Sequence, residues 1–206
     1  VQNKEIGDIK IVNGNFGVSK QRKISDKSKI SYQNNGSLFQ LGIYPLSLSQ
    51  WLFGHPISIQ AIGNLDSDDI DEDLSFQVRF KSGVIGYFHS SISSWSENNF
   101  QIMGTHGKIS FNGPVVRPYG LAIAKHKPLQ PAEKDYGWLI RLKQKGIVNY
   151  LAQSLGISSN IANKNYKYFY NGNGYQYQIL EVNSCLLKGN SESKIMPHSD
   201  TICILD

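Results

Sequence analysis

Histidines, cysteines, clustered acids and a tyrosine-rich stretch are the residues of this 206-residue chain best equipped for chemistry. His55, His89, His106, His126 and His198 stand singly, and no pair has the spacing that closes imidazoles on one zinc ion. The run from Asp66 to Asp73 is strongly acidic but does not meet a calcium loop's register of alternating oxygen ligands, central glycine and distal glutamate. It reads as a solvated connection that also blunts sheet edges. No Gly-x-Ser-x-Gly elbow offers an activated serine. A dinucleotide cradle needs a strand, a glycine turn and a helix whose N-terminus faces the pyrophosphate. The nearest match, Gly172-Asn173-Gly174, lacks a preceding parallel strand and a third glycine, and reads as a turn before a helix.

Six of the eleven tyrosines lie between residues 150 and 177. Tyr166-Lys167-Tyr168-Phe169-Tyr170 mixes rings with a base and is able to stack on nucleobases or sugars, but a strand or loop packed on the sheet or against a partner is the favoured reading. Cys185 and Cys203 are too few for a disulfide scaffold and sit among apolar neighbours, where a thiol behaves as a small hydrophobe. That usage fits a reducing cytoplasm.

These side chains need a scaffold, and the composition supplies one. Hydrophobic residues are 40% and charged residues 18%, so a single folded domain over 1–206 is expected. Asp8 to Val18 alternates in period two, as an opening strand does. A polar basic stretch, Ser19 to Gln33, follows. Leu38, Leu41, Tyr44 or Pro45, Leu48 and Leu52 then recur at helical spacing, predicting a largely buried helix over 37–53. Asn34 to Ser37 would turn and cap it, Gly54 would close it, and Pro45 would remove one backbone donor.

Four or five strands are expected next. Ile57–Ile62, Leu74–Phe80 and Val84–Ile92 are β-like, the last two joined across Lys81-Ser82-Gly83, and Phe100–Gly104 and Lys108–Phe111 form a hairpin across Thr105-His106-Gly107. Such a meander makes a mainly antiparallel sheet. Residues 113–172 are the least legible, with room for a strand over Leu121–His126 and a helix over Trp138–Leu155. Tyr175, Ile179, Val182 and Leu186 return to helical spacing, ended by Gly189. Met196 to Asp200 reads as a stop and a fresh cap for a helix over Thr201–Asp206, shorter than the mean of about 11–12 residues. With no methionine ahead of Val1, the chain is expected to be cut from a longer one.

The net charge of +5 and pI near 9.1 raise nucleic-acid binding as a function. The charge is uneven: residues 1–30 hold seven Lys or Arg against three acids, while 66–73 is acidic, and no nucleic-acid motif accompanies it. Neither nucleic acid nor membrane is an expected partner, since no segment approaches the ~20 apolar residues of a bilayer span and the first residues do not resemble a leader.

Taken in order, four segments resemble the C-terminal domain of the glucose-fructose oxidoreductase, inositol dehydrogenase and MocA superfamily, in its dihydrodiol-dehydrogenase-like branch. Gly7 to Lys10 through Asn15-Phe16-Gly17 is similar to its first strand. Asn35 to Leu46, ending at Trp51-Leu52-Phe53-Gly54-His55-Pro56, resembles its active-site helix. Ile102 to Ile109 resembles its glycine hairpin. Gly174 to Tyr177, Glu181-Val182, Cys185-Leu186 and Glu192-Ser193 to His198 resemble its closing helix and the approach to a last one.

The resemblance implies an α+β fold, with an open, mainly antiparallel sheet and helices packed on one face. It implies a Rossmann nucleotide-binding domain absent from this chain, and a homo-oligomer, commonly a dimer, formed through the open sheet face. Function follows as expectation: the full-length protein would be a cytoplasmic NAD- or NADP-dependent dehydrogenase acting on a sugar, polyol, cyclitol or diol hydroxyl. This fragment would be inactive and hold neither cofactor nor metal, because the family's catalytic lysine belongs to a Glu-Lys-Pro motif that Glu133-Lys134-Asp135 does not reproduce. The family's Asp-x-x-x-His pattern on the active-site helix here reads Gln40 and Tyr44. In this branch tyrosine takes the histidine place and acts as general acid/base toward a hydroxyl beside a lysine. Residues four apart share a helix face, so both side chains point into one cleft. Gln40 departs from the pattern: an amide orients a hydroxyl but cannot accept a proton. A catalytically silent dimerisation or sugar-binding module is therefore the alternative, and a core tyrosine is the alternative for Tyr44.

Overall fold

A computed structural model describes residues 4–19, 36–126 and 162–205. Most of the basic stretch, the helix expected over Trp138–Leu155 and Glu133-Lys134-Asp135 lie outside the described residues. Strand β1 spans Ile9–Gly17, a π-helical turn Leu38–Gly42 runs into helix α1, Ile43–Phe53, and strands β2 to β4 span Pro56–Leu65, Asp71–Phe80 and Ile85–Ser91. Strands β5 to β8 span Phe100–Gly104, Gly107–Asn112, Gly120–Lys125 and Ala162–Lys167, followed by α2, Tyr175–Leu187, and α3, His198–Leu205.

One eight-stranded sheet runs in the order β2-β3-β4-β1-β5-β6-β7-β8. It is mainly antiparallel as expected, and the exception is informative: β1 lies parallel to β4, with Asn13 beside Tyr87 and Phe16 beside Ser90. A parallel neighbour needs a crossover, and α1 with the β2–β3 hairpin provides it. Among the described residues seven strands follow the helix: the five expected, the strand for which Leu121–His126 left room, now β7, and one more. The last, β8, pairs with β7 (Leu121 with Tyr166) and takes up the start of the tyrosine-rich run. Asparagines at 163 and 165 and lysines at 164 and 167 hide it from an apolar-pattern reading.

Alternation sorts the sheet into two faces. Val12 on β1, Phe76, Val78 and Phe80 on β3, Phe88 on β4, Phe100 and Ile102 on β5, Ile109 on β6 and Ile123 on β7 form the core, closed over by Leu46 and Phe53 of α1. Phe80 and Phe100 are wholly buried, each contributing about 1.5–3 kcal/mol of transfer free energy. Gly14 makes the seat for α1, since a Cβ there would stand 2.6 Å from Pro45 Cβ and 3.0 Å from Phe100. The opposite face is mixed: pairing register lines Gln60, Gln77, Tyr87, Asn13, Gln101 and Ser110 across six strands, with Ile62, Ile85, Ile11 and Met103 on the same side.

At the C-terminal end, Gly172 and Gly174 take positive φ ahead of α2, the turn the sequence implies. Gly189, at φ 68°, donates to Leu186 O while Asn190 donates to Cys185 O, the paired bonds that finish a helix on a left-handed residue. Helix α3 starts at His198, earlier than Thr201, and Gln50 Nε2 of α1 donates to Asp200 O on it. No described helix is long and apolar enough to cross a membrane.

Candidate active site

The helix expected over 37–53 forms, but not as a plain α-helix. Ile43 N–H reaches back five residues to Leu38 O, which makes 38–42 a π turn. Pro45 explains its place: it cannot donate to the Leu41 carbonyl and its ring crowds that oxygen, so the chain widens just ahead of it. Gly42 allows the widened turn to settle on β4, where a Cβ would stand 3.0 Å from Ser90 Oγ.

The cap also differs from expectation. Ser37 makes no side-chain cap of its own helix. Its hydroxyl donates to Asp71 Oδ2 at 2.7 Å and meets Ser90 Oγ at 3.0 Å, and Leu38 N–H donates to the same Asp71 oxygen at 2.7 Å. The carboxylate at the helix start thus comes from β3, and it lies so close over Gly36 that a Cβ there would clash with Oδ1.

This corrects the reading of the acidic run as only a solvated connection. Asp66 Oδ1 accepts the N–H groups of Asp68 and Ile70 and shapes the turn. Asp73 Oδ1 accepts the Ser91 hydroxyl at 2.5 Å and the Ser93 hydroxyl at 2.7 Å, and these bonds hold its carboxyl below the usual carboxylate range.

Tyr44 stands in the first turn of α1, 49% exposed, with the Phe16 ring 5.7 Å from its own. It is not a core tyrosine walled in by aliphatic groups. Gln40 lies within the π turn, half-buried, its N–H donating to Gly36 O. A wet phenol and an amide one turn before it can together engage a hydroxyl, the phenol exchanging its proton and the amide fixing its orientation. Trp51, seven residues beyond Tyr44 and 66% exposed, continues the outward stripe of α1. Helical spacing from Tyr44 would have found it. Nothing in sequence alone pairs Asp71 with Ser37, because that contact depends on β3 register.

The remaining candidates scatter. His55 Nδ1, just past α1, meets Cys203 Sγ at 2.9 Å, and Cys185 Sγ donates toward Glu181 Oε1 at 3.7 Å, so both thiols have polar partners where apolar surroundings were expected. His89 Nδ1 contacts the Ser75 hydroxyl on the sheet face opposite the core. Tyr168 and Phe169 are exposed. Among the described residues no three His, Cys, Asp or Glu side chains gather in a way that could hold a metal ion.

Residues 1–110, from before β1 into β6, match the model of the GFO/IDH/MocA C-terminal domain. The chain belongs to that family. The trans-1,2-dihydrobenzene-1,2-diol dehydrogenase of Bos taurus is 27% identical over 209 residues, covering 98% of this chain and 52% of its own length. That of Homo sapiens is 25% identical over 206 residues, again covering 98% and 52%. The chain therefore spans about half the length of these curated relatives. An aldose-aldose oxidoreductase from Caulobacter crescentus, solved with glycerol, superposes with a TM-score of 0.67 at 18% identity, covering 99% of this chain and 52% of that one. A 3-ketoreductase from Actinomadura kijaniata, solved with TDP-benzene and NADP, gives 0.63 at 12% identity, covering 98% and 51%. Both structures share the fold of this GFO/IDH/MocA chain.

The glycine turn at Gly172-Asn173-Gly174 lacks the strand arrangement of a dinucleotide cradle. It joins a strand to a helix, but β8 pairs antiparallel with β7, so the parallel strand such a cradle requires does not precede it.

Proposed function

We propose that this chain is the second domain of a two-domain NAD- or NADP-dependent oxidoreductase acting on the hydroxyl of a diol, cyclitol or sugar. The observation that carries the reading is Tyr44, a half-exposed phenol at the start of the helix that resembles the family's active-site helix. Its part is the hydroxyl proton, and Gln40 orients the substrate oxygen. The nicotinamide, held by the Rossmann half, supplies hydride transfer. The relatives' names, diol dehydrogenases, support the substrate class. The sheet face opposite the core, with its row from Gln60 to Ser110 and the apolar Ile62, Ile85, Ile11 and Met103 on the same side, is the surface proposed for pairing two copies in the cytoplasm.

The test uses the full-length protein with trans-1,2-dihydrobenzene-1,2-diol and an aldose as substrates and NAD or NADP as oxidant. Tyr44→Phe is expected to lower turnover by at least about a hundredfold, the lower range for acid/base catalysis, and unchanged turnover rejects the role. A catalytically silent module is the reading that Gln40 favours, and it predicts no turnover in the unmodified protein. Calorimetry of residues 1–206 with NAD or NADP is expected to register no binding; tight binding would overturn the placement of the cofactor in the other half.

A further inference from the structure

The π turn is held at both ends from the sheet beneath it. Ser90 of β4 is fully buried under it, with Oγ 3.0 Å from Ser37 Oγ at the start and within 3.0 Å of where a Gly42 Cβ would stand at the end. Asp71 of β3 takes the Ser37 hydroxyl and the Leu38 N–H on one oxygen, each at 2.7 Å. Gln40 sits between these anchors. Tyr44 lies beyond them, on a helix pinned independently by Pro45, Leu46, Ser49 and Phe53. The two candidate site residues are therefore positioned by different devices: Tyr44 by the core, Gln40 by the Asp71–Ser37–Ser90 clamp.

We infer that Asp71 is a positioning residue for the reaction, acting through Gln40 by holding the π turn closed over Ser90. The consequence follows from helix geometry. A π turn encloses one residue more than an α turn, so relaxing it would carry Gln40 round the axis by up to about 100° relative to Tyr44. The phenol would stay, and the amide would leave the substrate oxygen. Losing the clamp should weaken substrate engagement and leave cofactor affinity alone. A plain helix cap would lower stability without singling out Gln40.

The inference rests on the assignment of Gln40 and Tyr44 above, and a double-mutant cycle separates the two. In the full-length protein, with NADP and trans-1,2-dihydrobenzene-1,2-diol, Asp71→Asn is expected to raise the diol KM about tenfold, with the NADP KM unchanged. In a Gln40→Ala background the same change should alter the diol KM by less than about twofold, because the group it positions is gone. An equal factor in both backgrounds overturns the inference and leaves the proposed function standing; a Gln40→Ala variant that behaves like the unmodified protein overturns the inference together with the orienting role of Gln40, and leaves standing the proton exchange assigned to Tyr44. Unchanged turnover in Tyr44→Phe removes both. Should Asp71→Asn fail to fold, Ser90→Ala, which deletes only the hydroxyl under Ser37, must give the same non-additivity on a smaller scale; additivity there is equally fatal.

Discussion

Helices α1 and α2 share apolar residues at helical spacing and glycines of positive φ just past their ends, Gly54 and Gly189. Yet α1 buries Pro45, Leu46, Ser49, Gln50 and Phe53, while α2 buries no side chain, leaving Ile179, Leu180, Leu186 and Leu187 exposed. The difference lies beneath them. Gly14 cuts a seat in the sheet that a Cβ would fill, and Gly42 gives the turn before α1 its close approach to Ser90. Apolar period thus specifies that a helix has a face to hide; for α1 the small residues of the opposing element let it be hidden, while α2 has no such seat among the described residues. The helix that carries the proposed acid/base residue, Tyr44, is the one with the prepared seat, which would hold such a group still.

The comparison breaks most directly through stability. Phe80→Ala, beneath α1 against Phe53, is expected to cost about 3–5 kcal/mol, whereas Leu187→Ala, at a residue 89% exposed on α2, should stay within about 0.5 kcal/mol. Denaturant unfolding of residues 1–206 followed by circular dichroism reads both, and similar losses would mean that α2 is seated as α1 is. Gly14→Val comes next. Its extra atoms meet Pro45 and Phe100 inside contact distance, and overpacking of this kind costs about 1–3 kcal/mol. An unchanged midpoint would mean that α1 shifts freely on the sheet.

Much of this arrangement was legible because its causes are local. Period-two runs marked β1 to β6, and glycines marked the ends of α1 and α2. Asn35 to Pro56 carried the likeness to an active-site helix, and Gln40 and Tyr44 with it. What escaped was non-local. The place of β1 between β4 and β5 depends on a crossover, and the Asp71 clamp depends on which β3 residue lands under Ser37. The π turn depends on Pro45 acting together with the space above Ser90. Strand β8 escaped for another reason: its polar sequence, from Asn163 to Lys167, shows no apolar alternation.

A smaller effect sharpens the α2 side. Gly189 holds φ 68°, and alanine there is strained by about 1 kcal/mol. Because α2 is unseated, that loss should stay local. Hydrogen exchange is expected to show α2 amides of Gly189→Ala exchanging about fivefold faster while β3 amides are unchanged. A loss spread evenly over both elements would mean that α2 unfolds only with the core.

The smallest expected effect is one of pH, and the two regions should show it on opposite sides of neutrality. Near the α1 seat, the Ser91 and then the Ser93 hydroxyl hold the Asp73 carboxyl below its ordinary value. Folding therefore gains from the ionised form above the unfolded carboxylate pKa, and that gain is lost as pH falls through the lower folded value. At α2, partial desolvation of the half-buried Cys185 and then the Glu181 carboxylate push its thiol up. Its contribution is complete below the unfolded thiol pKa and is lost as pH rises toward the higher folded value. Asp73→Asn should flatten only the acid limb of stability against pH, and Cys185→Ser only the alkaline limb. Both groups lie near solvent, so each limb should be shallow. A single substitution that flattened both limbs would tie the two regions into one cooperative unit and dissolve the contrast between a seated and an unseated helix.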